Sequence, residues 1–176
     1  MRDENSVPRE LVIATRNPGK VAELERLLDG LDLHLLSLAQ AGVQDELPET
    51  GDTFAANAVA KAERACYLSG QPSLADDSGL CVDALGGAPG IQTARYGGTG
   101  LTGEQRMSRL LGALGGIQGS ARSARFECVV ALARPDAMTL TTTGTLHGLI
   151  AEQPTGRGGF GYDPIFFVPE LGATLA

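Results

Sequence analysis

Short apolar runs alternate with longer amphipathic stretches through the first half of the chain. Residues 10–15 are apolar and β-branched, which predicts a buried strand. From Pro18 onward, apolar residues recur at helical spacing, and proline suits the first turn of a helix. The same order repeats with a strand at 31–38 and a helix at 54–68 that carries an alanine stripe. Strands and helices in this order predict a parallel or mixed sheet.

Two long strand-like runs dominate the second half of the chain. Residues 122–134 and 138–150 are joined by Pro135 and Asp136, and so short a connection predicts an antiparallel hairpin. Before them, the sequence 102–105 has the form of a capping box that opens a helix. After them, residues 163–168 are expected to form the last strand.

The pattern as a whole predicts one α/β domain with two lobes and a central cleft. A chain of 176 residues with 43% hydrophobic and 20% charged residues is long enough for a sizeable core. The polar opening 1–9 lacks the apolar centre of a signal peptide, so we expect a disordered lead there. The domain is therefore placed at 10–176.

Charge and cysteine content limit the possible partners. A net charge of −7 argues against nucleic-acid binding, which requires a basic face. No apolar run approaches the roughly 20 residues that span a bilayer, so no membrane partner is expected. Cys66, Cys81 and Cys128 are odd in number and form no CxxC pair, which argues against disulfides and structural zinc. A cytoplasmic protein with a small-molecule ligand fits these features.

The stretch from Ser73 to Tyr96 concentrates the candidate chemistry. An apolar run leads into the adjacent carboxylates of Asp76 and Asp77 and the hydroxyl of Ser78, and a second apolar run follows. One interpretation is a turn between two strands, because Asp, Ser and Gly favour turns. The other is the end of a buried strand that presents its acids to a ligand. Only the rest of the chain distinguishes the two.

Other positions could meet the same ligand. The turn 15–20 can aim backbone N–H groups at an anion, although it lacks the P-loop motif and also fits a solvated polar turn. Lys61 shares a helix face with Asn57, and it could bind phosphate or extend along the apolar stripe towards solvent. Phe160 lies between glycines, where its ring can face a planar ligand. Arg95 could contact that ligand or pair with a nearby acid.

Four segments in this order resemble the inosine triphosphate pyrophosphatase family, also called Ham1-like or non-standard purine NTP pyrophosphatases. Each segment alone is weakly specific, whereas all four at these spacings are highly specific, and the resemblance covers nearly the whole chain. The segments are Thr15-Arg-Asn-Pro-Gly-Lys20, Ala75-Asp-Asp-Ser-Gly-Leu80, Gly86-Gly-Ala-Pro-Gly-Ile91 with Ala94-Arg-Tyr96, and Gly158-Gly-Phe-Gly-Tyr-Asp-Pro-Ile-Phe166.

The resemblance implies an enzyme that hydrolyses dITP, ITP and XTP to the monophosphate and pyrophosphate with Mg²⁺. It also implies an elongated mixed sheet flanked by helices, and a homodimer. By matching motif, Asp77 is the expected proton acceptor and a metal ligand, and Glu49 is the second metal-associated acid. Lys61 and Ser78 are expected to contact the substrate. The phosphate-binding turn and the base-binding loop supply the other expected contacts: Thr15, Arg16, Asn17, Pro18, Gly19, Lys20, Phe160, Gly161, Tyr162 and Asp163.

Several alternatives stay open at this point. Asp76 could be a second metal ligand or a structural acid, and Tyr162 fits packing better than catalysis. Family members continue with a lysine and a Ser-His-Arg motif, whereas this sequence stops at Ala176, so we expect a missing C-terminal segment. A non-catalytic nucleotide sensor on the same fold is one alternative function. A related pyrophosphatase that acts on other modified nucleotides is another.

Overall fold

A computed structural model describes residues 9–176 of the chain. The predicted lead at 1–9 thus lies outside the described residues, apart from Arg9, which begins the first strand. The three helices of this part of the chain are α1 (Pro18–Leu27), α2 (Phe54–Ser69) and α3 (Gly103–Ala113). Its strands are β1 (Arg9–Ile13), β2 (Leu33–Ser37), β3 (Ser73–Val82), β4 (Ser123–Ala133), β5 (Leu140–Ile150), β6 (Phe166–Val168) and β7 (Ala173–Thr174).

The seven strands form one mixed sheet in the order β2-β1-β3-β4-β5-β6-β7. β1 pairs in parallel with both β2 and β3, as the alternating strands and helices predicted. β5 and β6 are antiparallel, and so are β6 and β7. β4 and β5 are neighbours across a connection of a few residues, which is too short for a parallel crossover. The predicted α/β class, with its mixed sheet, is confirmed.

The chain divides into two compact units, and each is described by itself. The first unit comprises the residues up to Asp77 together with Val129–Thr142. Its buried apolar residues include Leu11–Ile13 of β1 and one face of α2, to which Ala58, Ala62 and Ala65 contribute side chains with no exposure to solvent. Small side chains on one helix face allow close packing of the backbone, which explains the alanine stripe.

The second unit comprises Ser78–Cys128 and Thr143–Ala176. Its apolar core gathers Leu80, Leu110, Ile150 and Phe166 with their neighbours. The predicted capping box is present at Thr102, whose side chain accepts a hydrogen bond from the Gln105 backbone while the Gln105 side chain accepts one in return. Local sequence therefore determines where α3 begins.

Arg122 is a buried arginine that connects several backbone segments of the second unit. Its guanidinium is buried and donates to the backbone carbonyls of Leu114, Ile117, Ile150 and Ala151. These bonds join the segment that follows α3 to the end of β5 and the residue after it, because one guanidinium donates to carbonyls of both. We had placed Arg122 in a strand, whereas it ends a short 3-10 turn that precedes β4.

The Asp-Asp-Ser-Gly run is neither a turn nor the end of a strand, so the turn interpretation was wrong and the alternative placed the strand end too early. β3 is a single ten-residue strand that runs through it without interruption, and both aspartates are buried. β3 lies between β1 and β4 inside the sheet, where both faces of a strand are covered. Burial on both faces, together with paired carboxylates, outweighs the turn preference of Asp, Ser and Gly.

Two boundaries also differ from the prediction. Residues 163–168 begin as a 3-10 turn at Asp163–Ile165 and become β6 only at Phe166, and β7 follows, so this is not the last strand. Pro164 within the turn cannot donate a ladder hydrogen bond, which explains the late start. In α1 no residue is fully buried, and Leu27 is mostly exposed. No helix among residues 9–176 is long and apolar enough to cross a membrane.

Candidate functional site

The turn between β1 and α1 is held by its own side chains. Asn17 caps the helix, and its Oδ1 accepts hydrogen bonds from the backbone N–H groups of Gly19 at 2.9 Å and Lys20 at 3.4 Å. Pro18 has no N–H, so the first-turn donors of α1 are already accounted for. Thr15 Oγ1 accepts from the Asn17 backbone at 3.2 Å, which leaves its hydroxyl hydrogen for another acceptor. An anion here would meet side-chain donors, or it would displace the Asn17 carboxamide oxygen.

Arg16 connects this turn to the segment that follows β2. Its guanidinium donates to the carbonyl oxygens of Gln44 at 2.7 Å and Asp45 at 2.9 Å. These bonds hold the segment after β2 against the turn, although the Arg16 side chain is exposed. A substrate contact of this guanidinium stays a prediction.

Asp76 and Asp77 point to opposite faces of β3, because successive side chains of a strand alternate. Asp76 Oδ2 lies 2.6 Å from Lys20 Nζ, on the face that α1 covers. Asp77 faces α2 instead. Two right-handed crossovers in the order β2-β1-β3 place successive helices on opposite faces, which explains the separation of the two acids.

Asp77 sits in a compact polar group on the α2 side. Its Oδ2 accepts a hydrogen bond from Asn57 Nδ2 at 2.8 Å, and its Oδ1 lies 3.7 Å from Lys61 Nζ. The same ammonium lies 3.1 Å from Glu49 Oε1. Asn57 and Lys61 are one helical turn apart, so one face of α2 holds two acids from different parts of the chain.

The carboxylates of Glu49 and Asp77 form a donor set suited to a hard divalent cation. Both contact Lys61 Nζ, so both are directed at one small region that already holds a positive charge. Mg²⁺ commonly uses one or two carboxylates together with phosphate oxygens and water. Within residues 9–176, no group of three or more His, Cys, Asp or Glu side chains is placed to hold a metal alone. The residues thus fit a metal that is shared with a phosphate ligand.

The loop in the second unit is ordered by Asp163. Its Oδ2 accepts from the Phe160 backbone N–H at 2.7 Å, while its own N–H donates to the Phe160 carbonyl at 3.2 Å. Gly159, at φ +68°, has no room for a Cβ because Asp163 fills that space. The Phe160 ring remains 43% exposed. Asp163 therefore shapes the loop that carries the exposed ring.

Burial changes the acidity of two groups in this loop. Desolvation raises the pKa of Asp163, and the Phe160 N–H partly counteracts that rise. Desolvation also raises the pKa of Tyr162 to about 12, with smaller effects from Arg106, which lowers it, and Tyr96. The Tyr162 hydroxyl donates to the Thr93 carbonyl at 3.1 Å. The proton of Tyr162 is thus held tightly, which fits packing better than proton transfer.

The family profile of the Ham1 family matches residues 11–176, which is nearly all of the chain. The chain belongs to the Ham1 family.

Similar proteins agree with this placement of the Ham1 chain. A protein of Geobacter sulfurreducens named dITP/XTP pyrophosphatase is 49% identical over 166 residues, which cover 94% of this chain and 83% of the relative. A Yersinia pseudotuberculosis protein of the same name is 48% identical over 170 residues, with 96% and 86% covered. A solved HAM1 protein from Coxiella burnetii superposes with a TM-score of 0.86 at 43% identity, with 96% and 86% covered.

Another solved relative is described as a nucleoside-triphosphatase and dITP/XTP pyrophosphatase from Mycobacterium abscessus. It superposes with a TM-score of 0.78 at 38% identity, and the match covers 95% of this Ham1 chain and 87% of the relative. The likeness of these structures extends over the whole sheet, so it supports the fold as well as the family.

The Ham1 chain brings several predicted site residues together within its first unit. Lys20 meets Asp76, and Lys61 meets Glu49 and Asp77. Ser78 is the next residue of β3 after Asp77; it is half-buried and is the first residue of the second unit. Gly161 adopts φ +62° in the loop of the second unit, where a side chain would be strained. Arg95 is exposed at the end of a 3-10 turn.

Sequence reasoning missed the role of Asn57. It was noted only for sharing a helix face with Lys61, whereas its side chain is 3% exposed and bonds directly to Asp77. An asparagine within an alanine-rich helix stripe is the signal that could have identified it, because a buried carboxamide requires partners.

Proposed function

We propose that this chain hydrolyses the non-standard purine nucleoside triphosphates dITP, ITP and XTP to the monophosphate and pyrophosphate. Such an enzyme would remove these nucleotides from the precursor pool. The observation that carries the proposal is the carboxylate of Asp77, held by Asn57 and Lys61 beside Glu49. Membership of the Ham1 family and the names of its relatives support the same activity.

Asp77 is the proposed proton acceptor for the attacking water. Its Oδ2 is occupied by the Asn57 amide, whereas its Oδ1 lies 3.7 Å from the Lys61 ammonium, beyond hydrogen-bond length. Oδ1 is therefore the oxygen that would take the proton while the water oxygen bonds to the α-phosphorus. The bond from that phosphorus to the bridging oxygen breaks, and pyrophosphate leaves with the electron pair.

The triphosphate carries more negative charge than this acidic region can accept alone. We propose that Glu49 and Asp77 hold Mg²⁺, which would neutralise phosphate charge and polarise the α-phosphate. Lys20 and Lys61 would bind phosphate oxygens as point charges, and the Thr15 hydroxyl would donate to another. Each lysine pairs with a carboxylate in the first unit, Lys20 with Asp76 and Lys61 with Glu49. These pairs keep both ammonium groups ordered near the place where phosphate is expected.

Phe160 is the proposed stacking platform for the purine base. Its ring is exposed, and Asp163 fixes the backbone of its loop through the Phe160 N–H group. Selection of hypoxanthine or xanthine over adenine requires donors that read the 6-keto oxygen. We propose that backbone N–H groups of the base-binding loop, Phe160 to Asp163, contribute those donors.

The test is pyrophosphate release from dITP in the presence of Mg²⁺. We expect Asp77→Asn to lower kcat by about 10²–10⁴-fold and to retain dITP binding, because the amide preserves shape but cannot accept the proton. Asp83→Asn is the matched control, since Asp83 is an exposed acid in the second unit. An Asp77→Asn protein that turns over dITP at the wild-type rate would contradict the assignment.

The same assay separates the alternative functions. Binding of dITP without any turnover by the wild-type chain would favour a nucleotide sensor. Comparison of dITP, XTP, dGTP and modified dTTP or UTP would identify a pyrophosphatase with a different substrate range. We expect dITP and XTP to be turned over fastest.

We also propose a homodimer. The residues of β5 from Leu140 to His147 are all exposed, although they alternate between the two faces of the strand. Leu140 and Leu146 are large apolar side chains within that run. A second copy of the chain would cover them, and light scattering of the wild type and of Leu146→Lys would detect the loss of such a dimer. Within residues 9–176 none of the three cysteines forms a disulfide, which fits the proposed cytoplasmic location.

A further inference from the structure

Asn57 is a buried polar residue, and both the nitrogen and the oxygen of its carboxamide form hydrogen bonds. Its Nδ2 donates to Asp77 Oδ2 at 2.8 Å, and its Oδ1 accepts from the Gly51 backbone N–H at 2.7 Å. The side chain is 3% exposed in a helix face that is otherwise mostly alanine. A buried carboxamide that satisfied no specific partner would be costly, and alanine would serve the packing equally well.

The donors and acceptors around Asn57 allow only one orientation of its carboxamide. A carboxylate such as that of Asp77 only accepts, and the backbone N–H of Gly51 only donates. A flipped Asn57 would set oxygen against oxygen and NH₂ against N–H, so both bonds would be lost. Asn57 therefore links two specific partners, and it does so without a charge that could be titrated.

Gly51 is shaped for this contact. A Cβ at position 51 would lie 2.8 Å from the Ala56 Cβ and 2.9 Å from Asn57 Oδ1. Because real Cβ atoms do not approach so closely, only glycine lets this stretch of backbone reach α2. Gly51 is two residues from Glu49, so the bond to Asn57 anchors the segment that carries the second acid.

We propose that Asn57 is a positioning residue that fixes the carboxylates of Glu49 and Asp77 relative to each other. This inference rests on the proposed function. The amide of Asn57 occupies Asp77 Oδ2 and turns Oδ1 towards Lys61 and the metal region, while its oxygen holds the Glu49 segment in place. Lys61 contacts the same two acids through a charge on a flexible chain, which attracts them but does not set their orientation. Asn57 supplies the rigid part of the arrangement.

The experiment uses two variants that disrupt the link through Asn57 in different ways. Asn57→Ala removes both side-chain hydrogen bonds, to Asp77 and to the Gly51 backbone. Gly51→Ala keeps Asn57 and the interior of α2 but pushes the backbone at position 51 away from α2. Ser73→Ala is the matched control, because Ser73 is also a buried polar residue of the first unit and its hydroxyl donates a different hydrogen bond, to the Gln71 carbonyl. Each variant is measured by amide hydrogen exchange at position 51 or its neighbours, by the Mg²⁺ concentration for half-maximal activity, and by kcat and KM for dITP.

We expect exchange at the Gly51 amide to be at least about 10-fold faster in Asn57→Ala than in the wild type. In both variants the Mg²⁺ midpoint should rise about 10-fold and kcat should fall about 10–100-fold, with KM for dITP changed less than about 3-fold. Ser73→Ala should shift only the melting temperature. Two results would overturn the inference. One is a Gly51 amide that exchanges in Asn57→Ala at the same rate as in the wild type. The other is a Mg²⁺ midpoint that equals the wild-type value in both variants.

The experiment distinguishes failure of the proposed function from failure of the inference about Asn57. A wild-type chain that releases no pyrophosphate from dITP would refute that function, whatever the variants do. Hydrogen exchange at Gly51 needs neither metal nor substrate, so it still decides whether Asn57 anchors the Glu49 segment. Should Asn57→Ala fail to fold, Gly51→Ala carries the comparison of Mg²⁺ midpoints.

Discussion

Lys20 and Asp76 form an ion pair of 2.6 Å that joins α1 to β3. The pair lies on the opposite face of β3 from Asp77, so the two adjacent aspartates serve different partners. Asp76 thereby holds the ammonium of Lys20 in place and does not face the acid pair of Glu49 and Asp77. This relationship favours the structural role for Asp76, the acid whose function was open from sequence.

Asp76→Asn should weaken substrate binding more than catalysis. Loss of its charge releases Lys20, so we expect KM for dITP to rise about 10-fold and kcat to fall less than about 3-fold. A double-mutant cycle with Lys20→Met should give a coupling energy of about 1–3 kcal/mol in urea unfolding, since the pair is largely buried. A drop in kcat as large as that of Asp77→Asn, with KM unchanged, would instead place Asp76 in the reacting machinery.

Lys61→Met should separate metal binding from turnover. The Lys61 ammonium contacts the carboxylates of both Glu49 and Asp77, so its removal takes away the positive charge that these two acids share. We expect Mn²⁺ to bind the free protein about 3–10-fold more tightly, as measured by electron paramagnetic resonance, because the competing charge is gone. Turnover of dITP should fall about 100-fold, because a phosphate ligand is lost.

Lys61→Arg is the matched control for that substitution because it keeps the positive charge. Its Mn²⁺ affinity should stay within about 2-fold of the wild-type value. Weaker Mn²⁺ binding by Lys61→Met than by the wild type would show that the ammonium does not compete with the metal.

Tyr162 should make the fold sensitive to alkali. Its pKa in the folded state is about 12, above its ordinary value of 10. As the pH rises through 10, the unfolded chain loses this proton first, so the free energy of unfolding falls between pH 10 and about pH 12. The full loss is about 3 kcal/mol, and urea unfolding at a series of pH values measures it.

Tyr162→Phe should flatten this dependence. It loses the hydrogen bond to Thr93 and about 1 kcal/mol at neutral pH, but it has no proton to release. Tyr67→Phe is the control, because Tyr67 is largely exposed and its removal should leave the wild-type slope unchanged. Identical slopes in all three proteins would show that Tyr162 ionises freely in the folded state.

The sequence by itself determined the elements whose causes are local. Pro18 starts α1, the Thr102 box starts α3, and alternating strands and helices give the parallel part of the sheet. Each of these depends on residues within a few positions of one another. The four motifs at 15–20, 75–80, 86–96 and 158–166 together likewise indicated the family, because motif spacing is a property of the chain alone.

Only the tertiary structure showed which side chain each acid meets. Lys20 and Asp76 are 56 positions apart in sequence, and Asn57 and Asp77 are 20 apart, so no local pattern pairs them. The turn preference of Asp-Asp-Ser-Gly gave way because β3 is covered on both faces and its aspartates find partners there. Once that strand forms, alternation of its side chains sends Asp76 to α1 and Asp77 to α2. Burial and pairing between distant residues therefore determined the partners of each acid, and local propensity did not.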